Sequence, residues 1–165
     1  MESDENLTMN CECNKYEPVE LCRESINKRI KDSKGLKKQF ETIAEHHEEY
    51  SNHKLLQCLV CHQLWQQSSA WNFGAKEYLF KVPDLSIQEW ASEPYMQPDE
   101  MMICAVNNAE IFSQSLEERD VLCREENCTN FAIRYHVLCK EHYLKSRLRI
   151  PKGRLFPPYE IKNFE

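Results

Sequence analysis

At 165 residues the chain is long enough for one domain, or one domain with a small appended module, and too short for two large ones. Charged residues make up 29% against 41% hydrophobic, and no apolar run approaches the roughly 20 residues that cross a bilayer, so no membrane-spanning segment or membrane partner is expected. The net charge of −6 is uneven: Lys140 to Glu165 holds seven basic and three acidic residues and carries +4, leaving −10 on the remainder.

The acidic opening MESDENLTMN lacks the apolar core of a secretory signal, which makes the cytoplasm the expected compartment. Residues 1–17 read as an extended lead-in marked by Cys11 and Cys13. Pro18 then opens a helical stretch in which Val19, Cys22, Ile26 and Ile30 recur at helical spacing. After a break at Ser33-Lys34-Gly35 the pattern resumes with Leu36, Phe40 and Ile43, so two helices or one bent helix are predicted.

Cys58-Leu59-Val60-Cys61 follows, and then Trp65, Trp71 and Tyr78-Leu79-Phe80-Lys81-Val82 flank Asn72-Phe73-Gly74. This reads as a metal knuckle feeding a β-hairpin. The three tryptophans Trp65, Trp71 and Trp90 are expected to pack a small core beside the knuckle. Pro83, Pro94 and Pro98 leave room for a short helix around Ile87 to Trp90, and Glu100 to Phe112 is compatible with helix or strand.

Nine cysteines are a heavy load for this length, and in a reducing compartment metal explains them better than disulfides. Cys123-Arg-Glu-Glu-Asn-Cys128, ten residues, and Cys139-Lys-Glu-His142 supply two close pairs joined by a short loop. Tetrahedral zinc needs that layout: each pair spans two corners, and thiolate and imidazole are good donors to this ion. Cys139 and His142 lie three apart, which lets both point to one side if a helix starts there and continues through Tyr143 to Leu148. Over these 20 residues the chain resembles short three-Cys-one-His finger modules of treble-clef type. The resemblance implies zinc and a local fold, and such modules occur both in nucleic-acid binders and in structural settings.

Cys58 and Cys61 offer only half a tetrahedral site, and Cys11 and Cys13 are the expected partners, with Cys22, His46, His47 or His53 as substitutes that otherwise lie on helix faces. Two zinc ions are therefore expected. The helices in the 44-residue gap would loop back to close the second site. Cys58-Leu-Val-Cys61-His62 also satisfies the spacing for covalent haem, but that chemistry follows export. A redox dithiol would want a βαβ context, and His47-Glu48-Glu49 lacks the Pro that a zinc deaminase places before its CxxC, since Gln57 stands there.

These elements predict an α+β chain. Residues 1–112 would form a zinc-stabilised body of N-terminal helices, zinc knuckle and β-hairpin, and residues 113–165 a zinc-finger-like module with a basic tail, dividing near Ser113 to Arg119. No P-loop, dinucleotide glycine pattern, G-x-S-x-G or H-E-x-x-H is present, and closed four-ligand sites leave no position for substrate, so a non-catalytic protein without a small-molecule substrate is expected. A protein partner is favoured, because the body's −10 attracts basic surfaces and a small acidic chain of this kind has the general character of an immunity or antitoxin protein. The alternative is nucleic-acid binding through Lys140, Lys145, Arg147, Arg149, Lys152 and Arg154.

Overall fold

The computed structural model describes residues 10–17, 21–149 and 153–155. Two compact units divide the described residues, one drawn from Met1–Met101 and Lys152–Glu165, the other from Met102–Pro151. Pro18, Val19 and Lys152 lie outside the described residues.

In the first unit α1 spans Arg23–Leu36. It passes through Ser33-Lys34-Gly35 without a break, because Ser33 turns its hydroxyl onto the Arg29 carbonyl at 2.6 Å and so does not compete with the helix. A 3₁₀ turn, Lys37–Gln39, then leads into a strand, β1, Phe40–His47. The second predicted helical segment is thus replaced by a strand. Its register with β2, Asn52–Cys58, slips between Thr42 and Ala44, leaving Ile43 as an extra residue. That bulge spaces the partly buried positions 40, 43, 44 and 46 as a helix would, which explains the misleading periodicity.

Strands β3, Leu64–Ala70, and β4, Lys76–Lys81, complete an antiparallel sheet of order β1-β2-β3-β4. The predicted hairpin is present, with Trp71–Phe73 in a 3₁₀ turn and Gly74 at φ +77° closing it. Both faces of the sheet are covered. On one, Leu56, Trp65 and Leu79 pack with Leu36, Cys13 and Cys58. On the other, Gln66 is fully enclosed and its amide is saturated: Trp90 Nε1 and Tyr95 N donate to Oε1 at 2.8 and 2.9 Å, while Nε2 donates to Tyr95 O and Ser68 Oγ at 2.7 and 3.0 Å. Trp65 and Trp90 are core residues as expected, whereas Trp71 is 49% exposed.

The expected short helix is α2, Ile87–Ser92, opened by a reciprocal capping box between Ser86 and Glu89. The ambiguous segment is helix: α3, Pro98–Ser113, starts with Pro followed by Asp99 and Glu100, a favourable first turn, and runs from the first unit into the second. The second unit continues with β5, Glu118–Leu122, paired antiparallel to β6, Phe131–Ile133, and with α4, Lys140–Arg147. Its core is Ile111, Ile133, Tyr143 and Leu144. No helix among the described residues is long and apolar enough to cross a membrane.

Candidate metal centres

In the second unit, Cys123 directly follows β5 and Cys128 lies in the connection to β6. Asn127, at φ +63°, takes the left-handed turn that asparagine tolerates just before Cys128. Cys139 is the N-cap of α4 and His142 sits in its first turn. The four ligand atoms all lie within 4.8 Å of one another. Cys128 Sγ is 3.8 Å from Cys139 Sγ, and His142 Nδ1 is 3.4 Å from Cys123 Sγ and 3.3 Å from Cys139 Sγ.

The second cluster joins Cys11, in the segment before the 3₁₀ turn Cys13–Lys15, and Cys13 itself to Cys58 at the end of β2 and Cys61 in the turn to β3. The Cys58 N–H bonds to Gln63 O at 3.0 Å and the His62 N–H to Cys58 O at 3.1 Å, fixing that turn, with His62 at φ +61°. Cys11 Sγ lies 3.2 Å from Cys61 Sγ and 3.6 Å from Cys58 Sγ, and this quartet also falls within 4.8 Å. One helix and two strands, rather than a pair of helices, bring the two halves together.

These separations discriminate between metal and disulfide. A disulfide holds its sulfurs about 2.05 Å apart, whereas a tetrahedron of zinc–sulfur bonds near 2.3 Å has edges of about 3.8 Å, or about 3.5 Å to an imidazole nitrogen. No disulfide forms in either cluster, and the separations of 3.2 to 3.8 Å lie far from a disulfide bond and near the metal-edge lengths, Cys11–Cys61 being the shortest. Each quartet therefore fits a metal ion.

Each cluster also favours one thiolate in advance. Burial raises the Cys58 thiol, but the backbone N–H groups of Cys61 and Val60 outweigh it and bring the pKa to about 7. At Cys123 burial is again overcome, here by the N–H groups of Cys139 and Glu125 and by His142, to about 6. Cys13 goes the other way, raised by burial, although Trp65 Nε1 donates to its sulfur at 3.3 Å. That indole contact ties the site into the core, where Trp65 meets Tyr16 edge-on at 5.7 Å and Phe40 at 5.2 Å.

The substitute ligands stand elsewhere. Cys22 is the exposed N-cap of α1, beside Ser25 Oγ at 3.0 Å. The three histidines lie on strands and not on helix faces: His46 Nδ1 meets Ala91 O at 2.8 Å, His47 Nδ1 meets Asn52 Oδ1 at 2.8 Å, and His53 Nδ1 meets Ser68 Oγ at 2.7 Å. Among the cations, Lys140, Lys145, Arg147 and Arg149 are exposed in the second unit. Arg154 belongs to the first unit and is half-buried, its guanidinium donating to Glu89 O at 3.1 Å and Glu93 O at 3.3 Å. No protein-family model, curated protein or solved structure matches the chain.

Proposed function

We propose that the chain is a non-catalytic protein carrying two structural zinc ions and recognising another macromolecule, a protein partner before a nucleic acid. The observation that carries this reading is the donor set: in each cluster four ligand atoms of the chain converge within 4.8 Å, enough to fill all four corners of a zinc tetrahedron. Such a site holds the fold and leaves no corner for water or substrate. Thiolate and imidazole donors favour zinc over hard cations, with His142 binding through Nδ1 and keeping its proton on Nε2. The placement of two ligands at a hairpin connection and two at a helix N-terminus supports the likeness to treble-clef modules.

For the partner, the −10 on residues before Lys140 favours a basic surface. Leu122 and Phe131 pair across β5 and β6 yet are 59% and 44% exposed, an apolar patch of the kind that protein contacts cover. An immunity- or antitoxin-type role in the cytoplasm is the form of this reading that fits a small acidic chain. The nucleic-acid alternative rests on the exposed cations Lys145, Arg147 and Arg149, with Lys152 outside the described residues.

Metal analysis of protein purified without chelator should give two zinc equivalents per chain; a single equivalent would remove the Cys11, Cys13, Cys58 and Cys61 site from the reading. Replacing Arg147 and Arg149 with Ala should leave zinc content and partner capture unchanged. Nucleic-acid binding by the wild type that weakens steeply with salt, with a shallower slope in the double variant, would instead establish the alternative.

A further inference from the structure

A cleft of about 580 Å³ opens between α1 and β4, lined by none of the cysteines and within the size range of small-molecule sites. Four lysines line it. Lys31 and Lys34 come from α1, Lys37 from the following 3₁₀ turn, and Lys76 from the edge strand β4. The single carboxylate lining it, Glu77, pairs with Lys37 at 3.1 Å. Lys31, Lys34 and Lys76 have no ion-pair partner among the described residues. The chain has 27 acidic residues from which to neutralise them and a net charge of −6, so this unbalanced cluster runs against its overall composition. Like charges one helical turn apart repel, a cost that a bound anion would relieve.

The floor of the cleft differs from its rim. Gln67 is only 6% exposed, lines the cleft, and its side chain makes no hydrogen bond to any described residue. The neighbouring Gln66 amide is saturated by the protein, whereas the Gln67 donor and acceptor reach the cleft and are left for whatever enters. The partly buried Ile30 supplies apolar wall beside it. Ser33 is not a ligand group, because its hydroxyl donates to Arg29 O and accepts the Leu79 N–H at 2.8 Å. It clamps α1 to the edge of β4 and thereby fixes the spacing of the two walls.

We propose that this cleft binds a nucleoside phosphate. The exposed ammonium groups of Lys31, Lys34 and Lys76 take the phosphates, and the base lies against Ile30 with its edge on the Gln67 amide, a side chain whose paired donor and acceptor suit a purine edge. The site is assembled only by the fold, since its lysines come from segments about 40 residues apart.

Calorimetric titration of the metal-loaded full chain with ATP at low salt tests this, with tripolyphosphate, adenosine and a single-stranded oligonucleotide as parallel probes. ATP should bind saturably and more tightly than either tripolyphosphate or adenosine. Lys31→Gln with Lys34→Gln should weaken ATP by about tenfold or more, as loss of charge-assisted bonds predicts. Gln67→Leu should weaken ATP while sparing tripolyphosphate. Because both lysines are exposed, unchanged thermal melting will show that the double variant is folded. Absence of saturable ATP binding, insensitivity to the lysine variants, equal affinity for tripolyphosphate, or binding confined to the oligonucleotide would each overturn the proposal.

Discussion

Replacing Cys139 with Ser should unfold the second unit and leave the first standing. Cys139 Sγ contacts Cys128 Sγ and His142 Nδ1 at 3.8 and 3.3 Å, and its N–H binds Cys123 Sγ at 3.2 Å, so the substitution removes one corner and disturbs the others. The core of that unit is four buried side chains, Ile111, Ile133, Tyr143 and Leu144. At about 1.5–3 kcal/mol each, their burial contributes about 6–12 kcal/mol. A structural zinc contributes an apparent ~10–16 kcal/mol near neutral pH, as much as the whole apolar core. A unit of about 50 residues is also in the size range where a core alone rarely suffices. The first unit buries Trp65, Trp90, Tyr78, Phe80, Leu55 and Leu79 almost completely and does not depend on that metal. Hydrogen exchange read by mass spectrometry should show protection lost over β6 and α4 and retained over β2 to β4, with one zinc gone. Persistent protection of α4 in the metal-depleted variant, or simultaneous collapse of both units, would refute this reasoning.

Gln66→Met keeps the bulk of the side chain but removes its bonds to Trp90 Nε1, Tyr95 N and Tyr95 O. At ~1–3 kcal/mol for a buried donor such as the indole N–H left unsatisfied, urea denaturation should report a loss of at least about 1–3 kcal/mol; a loss within error of zero would show that the network contributes nothing. Cys61→Ser and Cys13→Ala should both abolish metal at the first cluster. Only the second should also lower the stability of the metal-free protein, by about 1–3 kcal/mol, because Cys13 is 1% exposed and accepts the Trp65 N–H while Cys61 is exposed. Burial holds the His53 imidazole below its ordinary value of 6.5, with Glu48 opposing and His46 reinforcing the shift. The unfolded chain therefore binds the proton first as pH falls, so this contribution to stability is full above about 6.5 and declines below it toward the folded-state value. His53→Gln should flatten that acid-side slope in paired urea melts, and an unchanged slope would assign it to other groups.

The C-terminal cluster is legible in the sequence because all its ligands fall within 20 residues and the geometry is set by one hairpin connection and one helix start. The first cluster is legible as a pairing of two half-sites, but the path between them is not. Ile43, the bulge residue, gives β1 a helical spacing of partly buried positions, and Gly35 looks like a stop although the helix needs only a modest propensity cost to pass it. The polar run Gln66-Gln67-Ser68 gives no sign of a central strand buried on both faces. Its burial is possible because α2 and Tyr95 bring partners to Gln66, and that complementarity exists only once the sheet has formed. The lysine-lined cleft is hidden for the same reason.

The two clusters stand in different relations to the fold. In the second unit the candidate ligands frame a small core, so a metal bound there would couple directly to folding. In the first, Cys13 and Cys58 are themselves members of a core with Leu36, Leu56, Trp65 and Leu79. A metal held there would close a loop of 44 residues between Cys13 and Cys58, and a cross-link over that length restricts the unfolded chain by about 4 kcal/mol in the chain-entropy account. It tethers the segment carrying Cys11 and Cys13 to a sheet that has other reasons to form. Loss of metal at that site accordingly releases a strap, whereas loss at the other removes a foundation, and a partner that binds β5 and β6 would sense the second event and not the first.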